Sequence, residues 1–168
     1  MPYLRVIGSI LLPNMGGWVS TITMIGQVKR PDGKAWYQVI KKPTWTPPAW
    51  VFGPAWTVLY STMGYASYVI YKDCGGFTKK SMVPLALYGG QLVLNWTWTP
   101  VFFGLHKIGL GLLHMAALDV SVVACAASFY QINPRASLLM VPYMAWLSFA
   151  TCLNYSIWKL NRDDEKVN

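Results

Sequence analysis

The chain has 168 residues, 54% of them hydrophobic and 12% charged, with a formal net charge of +8. A soluble domain carries about 25% charged residues, and the helices of a soluble bundle need a polar face, so this composition argues against a water-soluble core. The positive charge does not mark a nucleic-acid binder either. Its lysines and arginines fall between apolar stretches, as they do beside lipid headgroups, and no basic face with interleaved aromatics emerges.

Five spans without charge, or nearly so, follow one another: Val6–Val28, Pro43–Tyr71, Ser81–Leu105, Ile108–Asn133 and Ala136–Trp158. Only the fourth is interrupted, by His114 and Asp119. Each is long enough to cross a bilayer, which takes about 20 residues of helix. The pattern predicts an all-α membrane protein, a five-transmembrane-helix bundle forming one domain over residues 1–168.

The first span contains Pro13, Gly16 and Gly17, tolerated in membrane helices because neighbours re-satisfy the backbone. No small-residue cleavage site follows it, so it reads as a retained helix rather than a signal peptide. Arg30-Pro31-Asp32-Gly33 is a turn signature, and Trp36 and Tyr37 suit an interfacial stretch. Pro43, Pro47 and Pro48 exclude a helix interior, so the second helix starts near Pro48, with Pro54 expected to kink it. Gly75-Gly76 ends it. His106-Lys107 is a very short turn, making the third and fourth spans antiparallel neighbours. Ile132–Arg135 separates the fourth from the fifth, and 161–168 reads as a frayed polar tail.

Five crossings put the termini on opposite sides. Lys29, Arg30, Lys34, Lys41, Lys42, Lys107, Lys159, Arg162 and Lys166 outnumber Arg5, Lys72, Lys79, Lys80 and Arg135. The positive-inside rule then places the first loop and the C-terminus in the cytosol. Cys74, Cys125 and Cys152 show neither paired nor metal-ligand spacing, and no metal or cofactor is expected.

No carboxylate pair is available for acid–base work, Asp119 being the only acidic residue inside a span, and phosphate-binding loops and nucleophile motifs are absent from the sequence. Asp119 and His114 are five residues apart and poorly aligned on one helix face. A proton relay would need partners from other helices, and a hydrogen-bonded aspartate is the plainer reading. Asn95 and Trp98 share a helical face. An amide beside an indole either orients a polar group in an apolar cavity or joins helices. Trp56 and Trp146 also lie well inside their spans, through packing or because they line a cavity. Ala86 and Gly90 form a small-xxx-small pair, fitting a dimer interface or intramolecular packing. Leu153, Tyr155 and Lys159 fit the permissive cholesterol-recognition pattern, and equally an ordinary helix end with a snorkelling lysine.

Taken together, several motifs resemble the translocator protein family, also described as peripheral-type benzodiazepine receptors and tryptophan-rich sensory proteins. They are Lys42-Pro43-Thr44-Trp45-x-Pro47-Pro48, Trp56-x-x-Leu59-Tyr60-x-x-Met63-Gly64-Tyr65, Asn95-Trp96-x-Trp98-x-Pro100, Phe102-Phe103-Gly104, Pro142-Tyr143-x-Ala145-Trp146-Leu147 and Leu153-Asn154-Tyr155. The resemblance covers nearly the whole chain. It implies five transmembrane helices, a homodimer and a cavity opening toward the first loop. In animals it implies the mitochondrial outer membrane, a role in lipid (cholesterol) transport, and binding of cholesterol, protoporphyrin IX and other haem-pathway porphyrins, and synthetic isoquinoline and benzodiazepine drugs. By matching motifs, Trp45, Phe52, Gly53, Trp56, Asn95, Trp98, Trp146, Ala150 and Leu153 would line the cavity. Leu153, Tyr155 and Lys159 would form the sterol element. If the chain degrades porphyrin in light, as proposed for bacterial relatives, Trp56 and Trp146 would be the catalytic pair. A ligand-responsive signalling scaffold is a further alternative. The chain departs from the mammalian pattern at Leu110, where a tryptophan is usual, and at His114, where an acidic residue is usual.

Overall fold

The structure, a computed structural model, describes residues 2–25 and 36–165. The Arg30–Gly33 turn lies outside the described residues. Five helices of 21–25 residues dominate: α1 (Pro2–Ile25), α3 (Ala49–Asp73), α4 (Lys79–Thr99), α5 (Ile108–Tyr130) and α7 (Val141–Glu165). Between them lie two short helices, α2 (Trp36–Val39) and α6 (Pro134–Leu138), and a π-helical turn, Pro100–Gly104.

The sequence's count of five equivalent spans is corrected in two respects. Helical segments beyond five occur among the described residues, because four- or five-residue helices leave no hydrophobic period to read. Among those residues, two stretches, Ile108–Tyr130 and Pro134–Arg162, are apolar and long enough to cross a membrane by length and composition. The other long helices carry more Pro, Gly, Asn, Ser, Thr, Trp and Tyr, which lower their mean hydropathy without adding charge.

Local chemistry sets the boundaries. Pro48 precedes α3 with extended backbone geometry (φ −56°, ψ 142°), as the three nearby prolines dictate. Gly75 and Gly76 reverse the chain after α3 at φ 73° and 109°, a region most side chains avoid. Thr78 and Ser81 then form a reciprocal capping box at the start of α4. Pro100 has no amide hydrogen and opens the π turn, which closes with the Leu105 amide donating to the Pro100 carbonyl (3.1 Å). Asn133 caps α6 by accepting from the Arg135 and Ala136 amides. Of the tail expected to fray, residues 161–165 instead continue α7 to Glu165, and 166–168 lie outside the described residues. Asn161 is buried, and its amide pairs with both backbone groups of Lys41, accepting from the amide (3.0 Å) and donating to the carbonyl (2.8 Å).

α1 packs on α3 and α4, α4 on α5, and α5 on α7, while the backbones of α3 and α7 stand further apart and meet through side chains. Glycines permit the α1 contacts. A Cβ at Gly64 would overlap the Ser9 carbonyl oxygen, and ones at Gly16 and Gly17 would meet the Trp96 and Tyr60 rings. The main core gathers Met63, Ile70, Leu118, Val122, Phe129 and Tyr143. A second cluster, near the α4–α5 turn, joins Trp36, Phe102, Ile108, Leu153 and Ile157.

Candidate functional site

Three helices meet at a buried polar node. Asn95 of α4 accepts a hydrogen bond from the Tyr60 hydroxyl of α3, and its Nδ2 donates to the Tyr143 hydroxyl of α7 at 2.9 Å. Tyr143 in turn donates to Gln91 Oε1 at 3.0 Å. Each polar group in this apolar setting has a partner, which avoids the cost of a stranded donor or acceptor. Asn95 therefore joins helices, one of the two readings its sequence allowed.

An aromatic wall rises from this node. Trp56 stacks on Tyr60 with centroids 5.3 Å apart and meets Tyr143 and Trp146 edge-on. Trp146 continues to Phe52 (5.8 Å) and Phe149 (5.5 Å), and Phe149 to Trp45 (5.8 Å). Trp45, Phe52, Trp56 and Trp146 thus form one connected series, set close to Asn95. The Trp146 indole N–H is buried and has no hydrogen-bond partner among the described residues.

Beside this wall, where α3 and α7 separate, an apolar groove of about 620 Å³ opens outward. Trp50, Val51, Pro54, Ala55, Val58 and Leu59 of α3 face Pro142, Ala145, Trp146 and Phe149 of α7 across it. Its volume falls in the range of small-molecule sites, about 300–1,000 Å³. Trp146 is the residue shared between the groove and the candidates named from sequence.

The remaining candidates lie elsewhere. Trp98 stacks on Phe102 (4.8 Å) and donates from Nε1 to the Gly111 carbonyl (3.2 Å), which commits it to the α4–α5 seam. Leu153 is buried in the second cluster. Ala150 is half-buried against the main core, and Gly53 is exposed. Tyr155 and Lys159 face outward, Tyr155 packing on Trp158 at 6.0 Å. Ala86 and Gly90 are exposed on one face of α4. Leu110 is 42% exposed.

His114 and Asp119 turn to different neighbours. His114 Nε2 lies 2.7 Å from the Leu94 carbonyl of α4, whereas Asp119 accepts from the Thr151 hydroxyl of α7 at 2.8 Å. Asp119 is thus held by a neutral hydroxyl. Outside the long helices, the Lys42 ammonium donates to the Tyr37 carbonyl (2.6 Å) and lies over the Tyr37 ring. Burial raises the Tyr37 phenol above its ordinary pKa.

Sequence reasoning did not place Tyr60, Tyr143, Gln91, Trp50 or Phe149 at the site. Helical spacing carried a signal for three of them: Tyr60 stands four residues after Trp56, Tyr143 three before Trp146, and Phe149 three after it.

The same residues connect the chain to known proteins. The sequence profile of the TspO/MBR family matches residues 9–159. The chain is 44% identical over 161 residues to the translocator protein of Sus scrofa, covering 96% of this chain and 92% of that one. It is 44% identical to the translocator protein of Homo sapiens over 95% of this chain and 92% of the relative. It is 37% identical to the tryptophan-rich protein TspO of Archaeoglobus fulgidus over 96% and 99%. With a match across nearly its whole length, the chain belongs to the TspO/MBR family of membrane proteins.

Proposed function

We propose that the protein binds flat or rigid apolar molecules between α3 and α7: cholesterol, protoporphyrin IX and related porphyrins, and isoquinoline- or benzodiazepine-type drugs. The observation that carries this reading is the wall Trp56–Trp146–Phe149 bordering an outward groove, with a buried indole N–H at Trp146. Indole faces offer large apolar area, and an unspent N–H offers direction. The segment 40–48 runs along α7 from Asn161, which holds Lys41, to Phe149, which meets Trp45, and acts as a lid. In this reading the five long helices cross the bilayer. The protein resides in the mitochondrial outer membrane with its first loop and C-terminus in the cytosol, and contributes to lipid transport. Copies pair through the exposed Ala86–Gly90 face of α4. The test is quenching of tryptophan fluorescence by protoporphyrin IX and by a sterol. Unchanged affinities in Trp146→Ala and Phe149→Ala would sink the cavity assignment.

A second reading, light-driven porphyrin breakdown, draws on the same geometry. Trp56 and Trp146 hold two oxidisable rings 6.5 Å apart, and such chemistry needs no carboxylate pair.

A further inference from the structure

Asp119 sits midway along α5, the helix Ile108–Tyr130, about 16 Å from either end at a rise of about 1.5 Å per residue. This helix is long and apolar enough to cross a bilayer. The side chain is half-buried, so part of it faces outward rather than into the bundle. An ionisable group at such depth is costly and ordinarily has a partner. Thr151 donates to Oδ2 at 2.8 Å, but no hydrogen bond or ion pair reaches Oδ1 among the described residues.

The carboxyl borders a small pocket of about 140 Å³ between α5 and α7, shared with Val122, Val123, Met144, Leu147 and Ser148. Its polar groups only accept. The Thr151 proton goes to Asp119, and the Ser148 hydroxyl donates to the Met144 carbonyl at 3.0 Å. The pocket therefore calls for a group that only donates and carries positive charge. An ammonium does both, with three donors and no acceptor.

Depth selects how that ammonium arrives. A free amphiphilic amine keeps its charge at the headgroups, as long basic side chains do when they snorkel. A second copy of this chain cannot supply it, because every lysine and arginine lies outside the uncharged spans. A lysine fixed on another membrane-spanning helix is carried to the required level. The surface on either side admits such a helix. Ala116, Val120 and Val123 of α5 and Ser148 and Cys152 of α7 are exposed and small or short, which lets a neighbouring backbone come close.

We propose that the α5–α7 face centred on Asp119 docks a transmembrane helix of a different membrane protein, whose mid-span lysine enters the pocket and pairs with the Asp119 carboxyl. The face is separate from the groove between α3 and α7, and the inference stands apart from the ligand-cavity reading.

The test measures energy transfer from the tryptophans of the full chain, in liposomes, to a dansyl-labelled polyleucine transmembrane peptide carrying one central lysine. An all-leucine peptide is the reference. Wild type is expected to prefer the lysine peptide about tenfold, the scale of a polar contact between membrane helices. Asp119→Asn, which keeps the side-chain shape and an acceptor for Thr151, removes the preference, and Ser148→Leu, which fills the mouth of the pocket, reduces it. Equal association of the two peptides with wild type, or a lysine preference that survives Asp119→Asn, overturns the inference. So does displacement of the lysine peptide by an equal mole fraction of a long-chain primary amine, which would assign the pocket to free amines. Loss of self-association in Asp119→Asn would likewise overturn it, by assigning the face to a second copy.

Discussion

Trp56 stands nearly perpendicular to Trp146, with ring centroids 6.5 Å apart and planes at 83°. The pair joins two helices whose backbones stand apart, alongside the Phe52–Trp146 and Trp56–Tyr143 contacts. A flat macrocycle arriving there meets one indole face and one indole edge. Replacing both rings by phenylalanine keeps apolar contact and removes the readily oxidised groups. In Trp56→Phe with Trp146→Phe, porphyrin binding is expected to weaken by less than about tenfold, within the 0.5–1.5 kcal/mol scale of a stacked contact. Light-dependent loss of porphyrin absorbance should stop. Bleaching at the wild-type rate in that variant would remove indole chemistry from consideration.

Asn95→Leu strands the Tyr60 hydroxyl and removes one of Tyr143's partners. Each buried polar group left unsatisfied costs about 1–3 kcal/mol, so a loss of about 2–4 kcal/mol is expected in equilibrium unfolding in detergent. Tyr143→Phe leaves the Tyr60–Asn95 bond intact but strands Asn95 Nδ2 and Gln91 Oε1, so it should cost a similar amount. Equal stability of Asn95→Leu and wild type would show that the node does not hold the helices together.

Gly64 and Gly8 give opposite outcomes for the same change. A methyl at Gly64 meets the Ser9 backbone carbonyl, whereas one at Gly8 has nothing within 4 Å. Gly64→Ala should destabilise by about 1–3 kcal/mol through overpacking. Gly8→Ala should be neutral or stabilising by up to about 1 kcal/mol from helix propensity. Thermal melts of the two variants side by side decide the matter.

Asn161→Leu removes both bonds to the Lys41 backbone. At about 0.5–1.5 kcal/mol each, their loss should raise local opening of segment 40–48 about tenfold. Trypsin cleavage at Lys41–Lys42 should accelerate accordingly, with the melting of the helices little changed. An unaltered cleavage rate would mean that other contacts fix this segment.

The proposed pairing through the Ala86–Gly90 face predicts a dimer of the wild type and a monomer of Gly90→Trp, by light scattering of the detergent complex. A dimer population unaffected by that bulk would assign the interface to another face.

Much of the fold was legible in the sequence. Gaps in charge marked the long helices, and three prolines and a Gly-Gly pair fixed both ends of α3. Trp56 and Trp146 stood out by their depth within uncharged spans. What stayed hidden depends on partners far along the chain. Asn161 reads as part of a polar tail until Lys41, 120 residues away, is seen beside it. Asn95 reads equally as ligand contact or helix link until Tyr60 and Tyr143 appear on either side. Trp98 shares a helical face with Asn95, yet the π turn brings Phe102 beneath its ring and the α5 backbone within reach of its N–H. Spacing along one helix cannot report such a turn.

The sparse seam between α3 and α7 has a mechanical consequence. The backbones of α1 and α3, of α4 and α5, and of α5 and α7 run close together, the first pair through glycine. The wider gap between α3 and α7 is spanned by long aromatic side chains instead. The width of the groove is therefore set by the rotamers of a few rings rather than by backbone contact.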